Sequence, residues 1–234
     1  MSQYSYVDFL SELEIGSAHP GGFNRTKSIF LNEPIRKEMK VLDVGCGTGD
    51  TALFLQGSFH CNVDVIENHP KMLKKVKKRF ASKRATINVF EGSVEQMPFL
   101  NNTYDYIICE SIIAFVDAKK ALNECHRVLK NNGILLLNEM SFVEPIKKTE
   151  LIRCKEFYQL QECNTADQWK EKLEETGFSK INTLKVSSSI ESQLIDITLT
   201  PNMDSNLLDL LDEHQLLQKE LDGKVGNIIL KCEK

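Results

Sequence analysis

Short apolar runs alternate with stretches of helical periodicity along most of this chain of 234 residues. The predicted strands are residues 40–44, 62–67, 86–91, 104–109, 133–138, 181–186 and 227–232. The first five are almost continuously apolar, which is typical of strands buried on both faces of a parallel sheet. The order of the elements therefore predicts an α/β fold with a doubly wound, mostly parallel sheet.

Helical periodicity is clearest between these strands, at residues 50–59, 70–81, 118–129 and 165–176. Asn131, Asn132 and Gly133 are interpreted as the stop signal of the third helix, and Thr165 with Gln168 as a capping box that begins the fourth. Two further helices, at residues 142–161 and 203–221, depart from the alternation and are expected to cover the open end of the sheet.

Composition excludes several classes of protein. The chain is 41% hydrophobic and 26% charged, and no run approaches the roughly 18 apolar residues of a membrane helix. The first residues include acidic side chains and lack the basic region of a secretory signal, so the expected location is the cytoplasm. Seven scattered cysteines without a CxxC pair predict buried thiols rather than a zinc site or a disulfide framework.

The formal charge of −4 disfavours a nucleic-acid partner, because affinity for polyanions comes largely from lysine and arginine. Residues 71–84 nevertheless carry eight basic side chains. Their spacing around an apolar helical face favours a solvated surface, with an RNA-facing patch as the alternative. The histidines do not fall in a metal-binding spacing, so no metal is predicted.

A glycine-rich turn joins the first strand to the first helix of the alternation. Gly45, Gly47 and Gly49 occupy every second position in VLDVGCGTGD. Glycine allows a backbone to turn tightly and approach a ligand closely, and the helix that follows directs free N–H groups at a negative group. The alternative is a turn that merely packs tightly.

Acidic residues near this turn favour the ligand interpretation. Asp43 precedes the turn, and Glu67 ends the second strand, close to the spacing at which a carboxylate accepts ribose hydroxyls. The third strand leads into Gly92-Ser93-Val94, which is placed to flank an adenine, and the fourth ends at Glu110. Ligands of open α/β sheets bind at these carboxyl ends.

The ordered motifs VLDVGCGTGD, GSVEQMPF, NTYDYIICES and ECHRVLKNNGILLLNE resemble those of class I S-adenosylmethionine-dependent methyltransferases. The similarity is to the small-molecule, type 11/25-like members, strongly over residues 40–138 and weakly to the C-terminus. It implies a Rossmann-like sheet of seven strands in the order 3-2-1-4-5-7-6, with the last strand antiparallel. It also implies one methyltransferase domain over residues 1–234. Its parts would be a helical cap (1–37), a cofactor-binding core (38–140), an inserted helix (141–164) and the rest of the sheet (165–234).

The resemblance also implies S-adenosylmethionine as cofactor and S-adenosylhomocysteine as product. The implied cofactor-binding residues are Asp43, Gly45, Cys46, Gly47, Glu67, Asn68, Ser93, Val94 and Glu110. The glycine loop would hold the methionine portion, Glu67 the ribose, and Ser93 with Val94 the adenine. The family usually has aspartate where this chain has Ser93, so we expect weaker adenine recognition, by the serine hydroxyl or by Glu95.

Methyl transfer from a sulfonium is an in-line displacement, so catalysis can rest largely on positioning. A general base is needed only if the acceptor must lose a proton. Glu110 and His19 are the candidate catalytic residues. Glu110 is otherwise a capping or cofactor-binding carboxylate, and His19 otherwise a surface residue in a turn. Five aromatic residues are candidates for an acceptor pocket or for core packing: Tyr4, Tyr6, Phe23, Tyr158 and Trp169.

Three functions follow from these observations. The leading one is methylation of a small, apolar or zwitterionic metabolite by a monomer or homodimer. The second is an RNA or protein methyltransferase, although ESII stands where base methyltransferases carry an NPPY-type tetrapeptide. The third is a regulator that binds S-adenosylmethionine without turnover.

Overall fold

The computed structural model describes residues 4–13, 15–143, 145–188 and 204–234. Seven strands form one sheet in the order β3-β2-β1-β4-β5-β7-β6. They are β1 (Lys40–Val44), β2 (Asn62–Glu67), β3 (Asn88–Glu91), β4 (Tyr104–Glu110), β5 (Leu129–Phe142), β6 (Ser179–Ser187) and β7 (Val225–Glu233). Strand β7 runs antiparallel to both β5 and β6. The predicted fold class, strand order and antiparallel last strand are confirmed.

The helices lie on both faces of this sheet. They are α1 (Tyr6–Glu12), α2 (Gly22–Phe30), α3 (Asp50–Phe59), α4 (Pro70–Lys83), α5 (Ala118–Val128), α6 (Lys148–Tyr158), α7 (Ala166–Thr176) and α8 (Ser205–Glu220). Apolar residues of α2, α3 and α4 pack on one face, and those of α1, α5, α6, α7 and α8 on the other. None of the helices in the described part of the chain is long and apolar enough to cross a membrane.

Burial on both faces explains why the central strands are continuously apolar. In β1, Val41 belongs to the cluster beneath α3, whereas Leu42 and Val44 belong to the cluster beneath α5. In β4, Ile107 and Ile108 likewise face opposite clusters, and both are at most 1% exposed. Successive side chains of a strand point to opposite faces, so a doubly covered strand is apolar at most of its positions.

The predicted stop signal of the helix at 118–129 is wrong. Helix α5 ends at Val128, and Asn131, Asn132 and Gly133 lie inside β5. The β4–β5 register is irregular here, since Tyr104 pairs with Leu129 but Tyr106 pairs with Ile134. The extra residues are accommodated as an irregularity in the strand, which places turn-forming residues within a ladder.

The two additional helices are shorter than predicted. Phe142, the expected start of the inserted helix, instead pairs with Val225 at the end of β5, and α6 begins at Lys148. Helix α8 begins at Ser205 after an Asp204 N-cap, and Met203 lies outside the described residues.

Candidate functional site

A cavity of about 300 Å³ lies at the carboxyl ends of β1, β2 and β4. Its lining includes most of the predicted cofactor-binding residues: Asp43, Gly45, Cys46, Gly47, Glu67, Asn68, Val94 and Glu110. His19 also lines it. The strand ends therefore bring together side chains that are far apart along the chain.

The glycine loop has a backbone that other residues adopt only with strain. Gly45, Gly47 and Gly49 have φ angles of +64°, +54° and +82°. A Cβ on Gly45 would lie 2.1 Å from Cδ1 of Ile112, whereas one on Gly47 would meet no atom of the described residues within 4 Å. The loop is thus packed closely at Gly45 and open at Gly47, which lines the cavity.

Glu67 is buried directly beneath this loop. Its Oε2 accepts a hydrogen bond from the Gly47 N–H at 2.9 Å, and its Oε1 accepts one from the His69 N–H at 2.8 Å. A carboxylate has about four acceptor sites, so these two bonds orient Glu67 and leave capacity for hydroxyl donors.

Asp43 is a buried carboxylate with an unused acceptor. It is 4% exposed, and its Oδ2 has no hydrogen-bond partner among the described residues. Burial, and then the nearby charges of Glu110 and Glu67, raises the pKa of Asp43 well above its usual value. Such a group is stabilised by a cationic or hydrogen-bond-donating ligand.

Glu110 and His19 lie in one hydrogen-bonded group. Glu110 accepts from the hydroxyl of Thr26 at 2.6 Å and from that of Thr51 at 2.9 Å. His19 Nε2 lies 3.6 Å from Glu110 Oε2 and 3.3 Å from Thr26 Oγ1. His19 is only 8% exposed and hence is not a surface residue.

Ser93 does not line the cavity, although its neighbours Gly92 and Val94 do. Its Oγ accepts from the Glu95 N–H at 3.1 Å. Glu95, the predicted substitute, is also absent from the lining, and its Oε1 accepts from the Asp117 N–H at 3.1 Å, just before α5. Both side chains therefore bond backbone N–H groups of residues that do not line the cavity.

The N-terminal segment and α1 cover the cavity. A Cβ on Gly16 would lie 2.1 Å from Asp50 Oδ2, so this backbone rests directly on the start of α3. Contacts between α1 and α4 hold the cover: Asp8 with His69, Glu12 with Lys71, and the carbonyl of Ser11 with Lys75.

Most of the predicted aromatic residues lie outside the cavity. Tyr6 lines it, whereas Phe23 packs on Phe54 and the indole N–H of Trp169 donates to the Met140 carbonyl. Tyr158 packs edge-on against Tyr6, with ring centroids 4.8 Å apart. These three residues outside the lining are therefore packing residues.

Among the described residues, the lining contains carboxylates, apolar side chains and neutral polar groups such as Asn68 and Thr51, but no lysine or arginine. The acidic members are Asp43, Asp50, Glu67 and Glu110. The apolar members include Tyr6, Val7, Leu10, Ile15, Ile112, Phe115 and Val116. This arrangement favours a ligand with positive charge and apolar surface over one with a phosphate.

Two residues of β5 support the walls of the cavity and were missed from the sequence. Asn138 contacts His19 and the carbonyl of Pro20. Glu139 is fully buried and accepts from the N–H groups of Ile112, Ile113 and Ala114 at 2.8, 2.7 and 3.3 Å. A polar pair in an apolar strand, NE within GILLLNEM, is the only sequence signal for them.

Residues 41–133 match the model of a family described as a methyltransferase domain. Over 226 residues the chain is 29% identical to YodH, an uncharacterized methyltransferase of Bacillus subtilis (strain 168), covering 96% of this chain and 97% of that one. The chain is a class I S-adenosylmethionine-dependent methyltransferase. S-adenosylmethionine is accordingly its cofactor.

Other relatives of this methyltransferase differ in what their names say they act on. It is 35% identical over 119 residues to the ubiquinone/menaquinone biosynthesis C-methyltransferase UbiE of Rhizobium meliloti (strain 1021), covering 49% of this chain and 46% of that one. Phosphoethanolamine N-methyltransferase 2 of Haemonchus contortus, solved with S-adenosyl-L-methionine, has a similar fold, with a TM-score of 0.82 at 18% identity. That alignment covers 99% of this chain but spans only 58% of the other enzyme's length.

Proposed function

We propose that this methyltransferase transfers a methyl group to a small-molecule acceptor within the cavity, by in-line displacement. The observation that carries the proposal is Glu67, which is oriented by the Gly47 and His69 N–H groups at the cavity wall. When bound, S-adenosylmethionine supplies an electrophilic methyl group on a positively charged sulfur.

The residues present fit that cofactor. The free Oδ2 of Asp43 suits an ammonium donor, and the open space beside Gly47 admits a ligand where a side chain would intrude. Glu67 would accept the ribose hydroxyls, with Asn68 beside it. Gly45, Cys46 and Gly47 would hold the methionine portion, Val94 would contact the adenine, and Glu110 would face the reacting end.

Ser93 has a less direct role in this proposal. Its hydroxyl is used within its own loop, and it does not line the cavity. We propose that it shapes the adenine wall through the position of Val94. The other predicted residues keep the binding roles proposed above.

The lining supports an apolar acceptor without a phosphate or carboxylate group. In the part of the chain that the structure describes, no lysine or arginine lines the cavity to pair with an anion, and Tyr6, Leu10 and Phe115 supply apolar surface. Placing an unpaired anion against several carboxylates is unfavourable. A quinone-like acceptor, as in the name of the Rhizobium meliloti relative, fits this lining better than phosphoethanolamine.

An RNA acceptor has less support. On α4, Lys71 pairs with Glu12 and Arg79 pairs with Asp50. Met72 and the N-cap residue His69 line the cavity, whereas none of the lysines and arginines described on α4 does. The basic surface thus does not continue into the cavity.

A regulator without turnover differs from an enzyme only in the absence of a methylated product.

We also propose that the protein works in the reducing cytoplasm. All seven cysteines are free thiols, and the buried Cys109 and Cys125 form a thiol hydrogen bond rather than a disulfide, with their sulfur atoms 3.9 Å apart. Disulfides are rare in reducing compartments. We also propose that residues 1–234 form a single methyltransferase domain.

The first experiment is titration calorimetry with S-adenosylhomocysteine on the intact protein and on Glu67→Gln, with Glu175→Gln as the control. Glu175 is exposed on α7, so its substitution makes the same charge change far from the cavity. We expect binding to the parent and the control, and at least tenfold weaker binding to Glu67→Gln, since a charged hydrogen bond contributes roughly 1.5–3 kcal/mol. Equal affinity of all three proteins would contradict the assignment of Glu67.

The second experiment identifies the acceptor class. The protein is incubated with labelled donor and with small-molecule, RNA and protein fractions of a cell extract. We expect label in the apolar small-molecule fraction. Label in RNA or protein would support the second function, and donor binding without any labelled product would support the regulator.

A further inference from the structure

The side-chain amide of Asn138 makes three buried contacts. Its Nδ2 donates to the carbonyl of Pro20 at 3.1 Å and lies 3.3 Å from Nδ1 of His19. Its Oδ1 accepts from Nδ2 of Asn227, on the neighbouring strand β7, at 3.0 Å. Asn138 and Asn227 are each 3% exposed, so water does not compete for these bonds.

These contacts determine which nitrogen of His19 carries the proton. The Pro20 carbonyl can only accept, so the amide nitrogen of Asn138 must face it. The same amide nitrogen faces His19 Nδ1, which must then accept as well. The hydrogen-bond network therefore assigns His19 as the neutral tautomer with its proton on Nε2.

The proton on Nε2 points towards Glu110. Thr26 Oγ1 lies 3.3 Å from His19 Nε2, and the Thr26 hydroxyl donates to Glu110 Oε1 at 2.6 Å. The hydrogen bonds therefore form a series in which each group donates to the next, in the order Asn227, Asn138, His19, Thr26 and Glu110. Hydrogen bonds in such a chain polarise one another, and this one ends on a carboxylate that lines the cavity.

We propose that Asn138 is a positioning residue for methyl transfer. It holds His19 as a hydrogen-bond donor, which fixes residues 15–20 over the cavity and stabilises Glu110 as the negatively charged acceptor that faces the cationic donor. Both ring nitrogens of His19 are then occupied, so His19 acts as a positioning residue and does not take a proton from the acceptor. The part of this inference that concerns donor binding rests on the proposed function, whereas the tautomer of His19 does not.

The test replaces the donor amide by an acceptor of the same size, in Asn138→Asp. A carboxylate at this position can bond His19 only through an Nδ1–H, and it repels the Pro20 carbonyl. Asn123→Asp is the matched control, because Asn123 is exposed on α5 and gains the same charge. Nitrogen NMR of the histidine rings reports the tautomer. The signal of His19 is the one that is missing from the spectrum of the variant His19→Gln.

We expect the parent and Asn123→Asp to show His19 protonated on Nε2 alone and to bind S-adenosylhomocysteine equally well. In Asn138→Asp we expect a proton on Nδ1 and about tenfold weaker binding, the cost of a lost buried hydrogen bond. In Thr26→Val, which breaks the link to Glu110, we expect weaker binding with the parent tautomer. The parent tautomer and Thr26→Val keep the inference testable if Asn138→Asp does not fold.

A parent protein with His19 protonated on Nδ1 would overturn the inference. So would a variant Asn138→Asp or Thr26→Val that binds S-adenosylhomocysteine as tightly as Asn123→Asp does. These results would leave the proposed function standing if the parent still binds S-adenosylhomocysteine. A parent that does not bind it would instead overturn the proposed function, whatever the tautomer of His19.

Discussion

The phenolic oxygen of Tyr158 lies 3.0 Å from Nδ1 of His214, in a buried contact between α6 and α8. Tyr6 of α1 packs against both rings, with centroid distances of 4.8 Å to Tyr158 and 5.4 Å to His214. Helix α1 contributes Tyr6 to the cavity lining. The cover of the cavity is thus anchored in an aromatic cluster that contains a titratable ring.

Acid should destabilise the protein through His214. Burial lowers the pKa of His214 to about 4, whereas an exposed histidine titrates near 6.5. Between these pH values the unfolded chain binds more protons than the folded one, so the contribution of His214 is full above pH 6.5 and is lost as the pH falls to 4. The loss amounts to about 3 kcal/mol in the free energy of unfolding. Urea unfolding at a series of pH values measures it.

The variant His214→Phe should remove this acid sensitivity. At neutral pH it should cost about 1–3 kcal/mol, because the Tyr158 hydroxyl loses its partner, and the added change Tyr158→Phe should recover part of this cost. The control is His60→Asn, at an exposed helix end where φ is +54° and asparagine is tolerated. An acid slope that persists in His214→Phe would assign the sensitivity to other groups.

Glu139 should make the free energy of unfolding depend on pH in the direction opposite to that of His214. Burial raises the pKa of Glu139 to about 7, although the N–H groups of Ile113, Ile112 and Ala114 oppose this rise. The folded chain therefore holds an extra proton between about pH 4.5 and 7. The free energy of unfolding should fall as the pH rises through this range and then level off, by about 3 kcal/mol at most.

The variant Glu139→Gln separates this effect from that of His214. It keeps the size of the side chain and an oxygen for the N–H groups of Ile112 and Ile113, but it does not titrate in this range. The difference in unfolding free energy between the parent and the variant should therefore change between pH 5 and 7.5. Glu175→Gln, on the surface, should show no such change. A constant difference for Glu139→Gln would contradict the prediction.

The sheet and the main part of the candidate site could be predicted from local patterns. Strands covered on both faces are continuously apolar, so β1 and β2 were predicted with the observed bounds. Gly47 lies just after β1 and Glu67 ends β2, and these strands are neighbours in the sheet, so the two residues meet at one edge.

The rest depends on contacts between distant residues. Asn138 meets His19 across 119 positions, and no local pattern encodes that pairing. The irregular β4–β5 register, which reversed the interpretation of Asn132 and Gly133, results from how two strands align. Ser93 was assigned by motif position, whereas the direction of its hydroxyl is decided by the Glu95 N–H in its own loop.

Gly47 and Gly223 offer a matched pair for testing the cavity. Both have positive φ, +54° and +76°, and a Cβ on either would meet no atom within 4 Å in the part of the chain that the structure describes. Alanine at either position should therefore cost about 1–2 kcal/mol of stability through backbone strain alone. Gly47 lines the cavity, whereas Gly223 lies in the turn before β7. We expect similar decreases in melting temperature, but at least tenfold weaker S-adenosylhomocysteine binding only in Gly47→Ala. Equal affinities of the two variants would mean that the glycine loop does not contact the cofactor.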